Sequence, residues 1–244
     1  MGTPKALLDW HGAPLVHRVA AILARACDPV VVVAAPGQEL PLPAGVEVAE
    51  DAVAGRGPLE GVAAGMLAVG GRAGAVFLAA TDLPLLHPQA VSELISALPG
   101  YDAAVPVAAG HDQTLAAAYD ARTLLRAREL LAAGRPRIAA LLDGARVARL
   151  PVSRLSHPHA VRNANTPEEY ERLLGLPEPA VRVVAGGAAP AQVEAATVAR
   201  AVARIRPDAD VHRIAARVNG LPADGMTPLV AGDLVELPSS PPSR

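Results

Sequence analysis

The sequence predicts an α/β layered fold, and three observations predict it. Short, fully apolar runs, clearest at Val30–Ala34 and Ala75–Ala80, have the length and β-branching of buried strands. Longer helical patterns alternate with them, the order that a mostly parallel sheet with covering helices requires. Proline stands at the expected helix starts Pro14, Pro58 and Pro88, where its missing N–H costs nothing.

In chain order, helices are expected over 14–26, 58–69 and 88–98, and strands over 30–34, 46–48, 75–80 and 102–107. Helical stretches follow at 120–133 and 137–142, then a strand at 147–152. Thr166-Pro167-Glu168-Glu169 reads as a helix start, with Thr166 as N-cap, Pro167 first in the helix and Glu169 closing a capping box. That helix runs to about Leu174. Residues 176–180, rich in proline, read as a stiff linker between a domain over 1–175 and a smaller unit over 181–238. The small unit reads as a strand at 181–184, a helix at 197–205, and strands at 211–218 and 234–237. The Ser/Pro-rich residues 239–244 read as a disordered tail.

Bulk properties narrow the function. The chain has 244 residues, enough for a large domain plus a small one. Net charge is −2 and no basic stripe occurs, which argues against a nucleic-acid partner. The single cysteine, Cys27, excludes an internal disulfide and a multi-cysteine zinc site. No apolar run has membrane-spanning length and no signal peptide is evident, so a soluble, cytoplasmic protein without a membrane partner is expected.

Lys5 is the only lysine among 22 basic Lys and Arg residues. Arginine serves everywhere else, so Lys5 reads either as a phosphate grip, where a compact point charge is needed, or as an exposed remnant of an arginine-rich composition. Asp51 and Asp82 both lie at the carboxyl ends of expected strands, where open α/β sheets bind ligands, and the strand before Asp82 is fully apolar. Asp82 precedes Leu83-Pro84 and can hold Mg²⁺ or simply make an Asx-turn. Gly57-Pro58-Leu59-Glu60-Gly61 opens a helix whose small residues admit a nucleotide, or is an ordinary loop mark. Asn163 and Asn165 alternate about Ala164, so an extended segment would turn both amides one way, to read a ligand or simply to satisfy a turn. His157 and His159 flank Pro158 and read as a solvated loop.

Six segments in order resemble the molybdenum cofactor guanylyltransferase family of nucleotidyltransferases. They are Met1-Gly2-Thr3-Pro4-Lys5-Ala6-Leu7-Leu8, Glu50-Asp51, Gly57-Pro58-Leu59-Glu60-Gly61, Thr81-Asp82-Leu83-Pro84-Leu85, Gln113-Thr114-Leu115-Ala116 and Asn163-Ala164-Asn165-Thr166-Pro167-Glu168-Glu169. The resemblance implies a three-layer αβα Rossmann-like nucleotidyltransferase domain. It implies Mg²⁺-dependent transfer of a nucleotide from GTP, or CTP, to the terminal phosphate of molybdopterin cofactor, with release of pyrophosphate. Lys5 and Asp82 would be catalytic, Lys5 on the triphosphate and Asp82 on Mg²⁺. Gly2, Asp51, Gly57, Pro58 and Gly61 would complete the nucleotide pocket, and Asn163 and Asn165 would face the pterin phosphate. Small-molecule substrates are the expected partners, with molybdenum enzymes or cofactor-biosynthesis proteins beside them.

In that family the Met-Gly of the first motif closes a Gly-rich loop after a first strand, whereas this chain begins at that Met. The expectation drawn from this is that the protein extends upstream. A non-catalytic cofactor-binding or delivery protein and a nucleotidyltransferase for another small-molecule phosphate are the alternatives. The segments Val218-Asn219-Gly220, Thr227-Pro228-Leu229 and Gly232-Asp233-Leu234-Val235-Glu236-Leu237 resemble β-grasp sulfur carriers such as the small subunit of molybdopterin synthase. The chain ends in Pro242-Ser243-Arg244 instead of their Gly-Gly, so a docking module is expected in place of a carrier.

Overall fold

The computed structural model describes residues 4–51, 57–209 and 215–239, with only the backbone of Leu124. The chain divides into two compact units, Ile22–Asn163 and the discontinuous pair Met1–Ala21 with Ala164–Arg244.

The N-terminal segment starts with a 3-10 turn over Lys5–Leu7. Strands β1 (Asp9–Trp10) and β2 (Ala13–Pro14) then form a hairpin with Trp10 opposite Ala13. Its turn residues His11 and Gly12 have φ of 52° and 94°. A two-residue hairpin turn needs positive φ at both positions to match strand twist, which makes Gly12 the natural second residue. The Gly12 amide donates to the Asp9 carboxylate at 3.1 Å. Helix α1 (Leu15–Leu23) follows.

In the central unit, β3 (Val31–Ala34) and β4 (Glu47–Glu50) form a separate parallel pair, Val31 opposite Glu47. Helix α2 (Pro58–Val69) follows with Pro58 as its first residue. Then come β5 (Ala75–Ala79), α3 (Pro88–Ser96), β6 (Ala103–Ala108), β7 (His111–Asp112), β8 (Ala116–Asp120), α4 (Thr123–Ala132) and β9 (Val147–Pro151). The larger sheet runs β5-β8-β6-β7, with β9 also paired to β6. Strand β8 is antiparallel to β5 and β6, and β6 is parallel to β9. The carboxyl ends of β5, β6 and β9 therefore share one edge of the sheet.

Period-two alternation builds three layers here. Val105, Ala117 and Tyr119 pack with Leu59 and Met66 of α2 and Leu130 of α4. Ala104 and Ala118 pack with Leu94 of α3, Leu98 and Leu155 on the other face. The helix expected from Asp120 starts only at Thr123, and the residues before it are strand β8, which no hydrophobic pattern suggests. Alanine prefers helices, but Ala116, Ala117 and Ala118 are at most 1% exposed. Their small side chains fit a strand paired on both edges and covered on both faces, and tertiary context overrides propensity. The Tyr119 hydroxyl donates to the Thr114 carbonyl at 2.8 Å, which satisfies the one polar atom that this strand buries in its side chains before Asp120.

The remaining chain begins with α5 (Pro167–Leu174), and its capping box is formed as the sequence implies. Strands β10 (Ala180–Ala185) and β11 (Ala191–Glu194), helix α6 (Val198–Ile205), and strands β12 (Ala216–Val218), β13 (Leu221–Ala223) and β14 (Leu234–Leu237) follow. The sheet order is β11-β10-β14-β12-β13, with β10 parallel to β14. Helix α6 covers one face through Val198, Ala201 and Val202 against Val181, Val183 and Val235. Strands β11 and β13 are short edges, polar or bearing proline, and so lack a hydrophobic signature. Of the strand expected over 211–218, residues 211–214 lie outside the described residues, as do 240–244 of the expected tail.

Glu178, within the proline-rich 176–180 stretch, is nearly buried and anchored. Its carboxylate accepts from the Ala196 amide at 2.7 Å and from Arg200 Nε and Nη2 at 2.7 and 2.5 Å. Burial would raise its pKa, but these donors outweigh burial and hold it below the ordinary value of 4.5. Burial lowers the pKa of His11 below 6.5, with Arg200 and Arg18 adding to the shift against Glu178. In both groups the folded state binds fewer protons than the unfolded chain, so stability is lost as pH falls. The His11 part is lost between 6.5 and its lower folded value, and the Glu178 part between 4.5 and its own lower value. Trp10, the only tryptophan, is 3% exposed and lies edge-on to His11 at 5.2 Å, so its fluorescence reports this region. We expect the Trp10 unfolding midpoint to drop in two steps on acidification, and His11→Asn to remove the first. Asparagine tolerates the positive φ. An unchanged acid profile in that variant would assign the first step to another group.

Candidate functional site

The central unit places Asp51 and Asp82 after strand ends and Gly57, Pro58 and Gly61 at the start of α2. Asp51 directly follows β4, is half-buried, and its amide donates to the Ala34 carbonyl at 2.9 Å, extending the β3–β4 pairing. Gly57 caps α2 with φ of 97°. A side chain there would be strained by that φ, and its Cβ would stand 3.3 Å from Pro136. Pro58 follows at the first helical position, where its missing N–H costs no hydrogen bond, and the Glu60 amide donates to the Gly57 carbonyl at 3.2 Å. Gly61 sits one turn in and faces Val33 of β3, where an added Cβ would meet ordinary contact at 3.9 Å. For Gly61 the geometry thus gives helix–strand packing. Gly2 lies outside the described residues.

Asp82 lies three residues past the end of β5 and is only 8% exposed. The loop that holds it leads into α3, where His87 Nδ1 accepts from the Gln89 amide at 3.2 Å as the N-cap. Asn163 is half-buried and lies in the irregular segment between β9 and α5. A clasp that sequence reasoning misses joins these two loops. The rings of His87 and His157 stack at 3.4 Å. Glu93 of α3 accepts from the Ser156 amide at 3.1 Å and the Ser156 hydroxyl at 2.5 Å. Gln89 also donates to Ser156 Oγ at 3.1 Å. Burial would raise the Glu93 pKa, but the Ser156 donors, Gln89 and His157 bring it below the ordinary value. The clasp fixes Ser156 and His157, in the segment after β9, against His87 and the first turns of α3. No short motif signals it, because its members are separated by about 65 residues and meet only through the fold.

The discontinuous unit brings together Lys5 and Asn165. Lys5 Nζ donates to Asn165 Oδ1 at 3.4 Å across 160 positions of sequence. An ammonium has donors only, so the amide must present its oxygen to Lys5 and turn its NH₂ elsewhere. Asn165 therefore keeps its two N–H donors for other partners. Ala164, between the two asparagines, is fully buried.

Mg²⁺ is commonly held by one or two carboxylates together with substrate phosphates, not by a cage of protein ligands. A single oxygen-donor side chain at a strand end, as at Asp82, fits that pattern. Among the described residues no group of three or more His, Cys, Asp or Glu could hold a metal.

The profile of the MobA-like NTP transferase domain matches residues 1–150. A protein of Mycobacterium avium named probable molybdenum cofactor guanylyltransferase is 33% identical over 180 residues, covering 71% of this chain and 88% of that protein. The crystal structure of molybdopterin-guanine dinucleotide biosynthesis protein A from Archaeoglobus fulgidus superposes with a TM-score of 0.55 at 22% identity, over 70% of this chain and 89% of that one. That of 2-C-methyl-D-erythritol 4-phosphate cytidylyltransferase from Thermus thermophilus has a TM-score of 0.54 at 21% identity, over 72% and 95%. The two structures share the fold.

Proposed function

The chain belongs to the MobA-like NTP transferase domain family, and on that premise we propose that it is a nucleotidyltransferase of molybdenum cofactor biosynthesis. It transfers GMP, or CMP, from the triphosphate to the terminal phosphate of molybdopterin cofactor and releases pyrophosphate. The observation that carries this reading is the placement of the family-like residues. Asp82 is a buried carboxylate at the sheet's carboxyl edge, and Lys5 is held against Asn165.

Both substrates are anionic, so the main work is charge neutralisation and in-line alignment. Lys5 binds the triphosphate as a point charge. Asp51 and the Gly57–Gly61 turn line the nucleotide pocket, and Gly57 lets the nucleotide approach the backbone. Asp82 would hold Mg²⁺, which when bound neutralises charge on the phosphates. Asn163 and Asn165 orient the acceptor phosphate through their NH₂ groups. No protein nucleophile takes part.

The five-stranded sheet of residues 180–237 is read as a β-grasp-like docking module. Its order β11-β10-β14-β12-β13 with one covering helix supports this. Its family-like residues have local structural tasks. Asn219 Nδ2 donates to Asp233 at 2.8 Å, and Asn219 Oδ1 accepts from the Leu234 amide at 3.0 Å, locking two turns together.

Incubation of the full chain with molybdopterin cofactor and labelled GTP or CTP tests the reading. We expect a dinucleotide product and equimolar pyrophosphate from one of the two, and none after chelation. Cofactor binding with neither product would support a delivery protein instead.

A further inference from the structure

The first turn of α5 does more than begin a helix. Glu169 closes the capping box, and one oxygen of its carboxylate accepts from both the Thr166 amide at 3.2 Å and the Asn165 amide at 2.9 Å. The Asn165 bond lies outside an ordinary capping box, which needs only the N-cap amide. It fixes the backbone of the residue whose side chain holds Lys5. The next residue, Tyr170, reaches the other end of the lysine segment. Its hydroxyl donates to the Asp9 carbonyl, and its ring lies edge-on to Trp10 at 6.2 Å. The segment from Lys5 to Trp10 is thus attached at both ends to the start of α5, by Asn165 just before its N-cap and by Tyr170 within it.

We propose that Glu169 and Tyr170 are positioning residues that mount Lys5 for nucleotide binding. Neither touches the nucleotide; each acts through another residue, Glu169 through Asn165 and Tyr170 through Asp9. The catalytic meaning of the mount rests on the nucleotidyltransferase reading above. The physical reason for a mount is that lysine has a long, flexible stem, and an ammonium that wanders binds phosphate with a larger entropic loss.

Because Lys5 is the only lysine, reductive methylation with ¹³C-formaldehyde gives one side-chain dimethylamine signal besides that of the N-terminus. Its methyl shift in the folded, nucleotide-free protein reads the mount directly. Glu169→Ala is expected to move this signal towards that of free dimethyl-lysine and to raise the nucleotide KM about tenfold. Glu169→Gln, which caps with a neutral oxygen, should restore both to within about twofold. Tyr170→Phe removes only the hydroxyl and should move the signal less, with KM up about threefold. A residue that serves stability alone would lower the unfolding midpoint and leave the signal of the folded protein in place. A Lys5 signal unmoved in both Glu169→Ala and Tyr170→Phe overturns the proposal, and so does a moved signal with an unchanged KM. Absence of turnover in the unmutated chain would overturn the reading on which the proposal rests, and the Lys5 signal would still decide whether the mount exists.

Discussion

Asparagine in place of Asp82 is expected to lower kcat/KM for nucleotidyl transfer about 10³-fold, roughly 4 kcal/mol of lost transition-state stabilisation. The change keeps the size and one oxygen of the side chain, so packing at this buried position is preserved. What it removes is the negative charge, which is the part that holds a divalent cation beside substrate phosphates. The Mg²⁺ concentration needed for half-maximal rate should rise in parallel, and it is the more diagnostic readout. The unfolding midpoint should stay within the range of a neutral substitution, since the side chain keeps its size and shape. Mg²⁺-dependent turnover retained within a few-fold would place the metal on another residue and leave Asp82 as the maker of a turn.

Lys5→Ala is expected to reduce kcat/KM about 10²-fold, close to 2.7 kcal/mol, with most of the change in nucleotide KM. Lys5→Arg should recover only part of this. A guanidinium is planar and presents a rigid fork, whereas the contact to Asn165 and a phosphate needs donors that diverge from one point. The residue is half-buried in a 3-10 turn with no large apolar side chain of its own to lose, so folding should be unaffected. Equal activity of the Lys5→Arg and unmutated chains would return Lys5 to the status of a surface cation. Because both variants can be compared at the same Mg²⁺ concentration, the two predictions separate triphosphate grip from metal binding.

Features that depend on a few neighbouring residues are legible in the amino-acid sequence. The α5 start follows from Thr166, Pro167 and Glu169, because the Thr166 and Glu169 side chains bond to amides three positions away, and it forms as those residues imply. The start of α2 at Pro58 follows from the fixed φ of proline, and β3 and β5 follow from runs of valine and other apolar residues. The order of these elements, with Asp51 and Asp82 at strand ends, suffices to name the class of fold and the residues worth testing.

What lies beyond the sequence shares one cause: its energy comes from groups far apart in the chain. Strand β8 is an alanine-rich segment by composition and becomes a central strand only because β5 and β6 offer hydrogen bonds on both edges. Glu178 reads as part of a proline-rich linker and is an anchored carboxylate because Arg200 and the Ala196 amide converge on it. The clasp of His87, Glu93, Ser156 and His157 and the contact of Lys5 with Asn165 are of the same kind. Local patterns encode caps, turns and apolar faces, because those are satisfied within one turn or strand. The partner of a buried charge or of an open strand edge is chosen by the packing of the whole unit, and only the tertiary structure decided it.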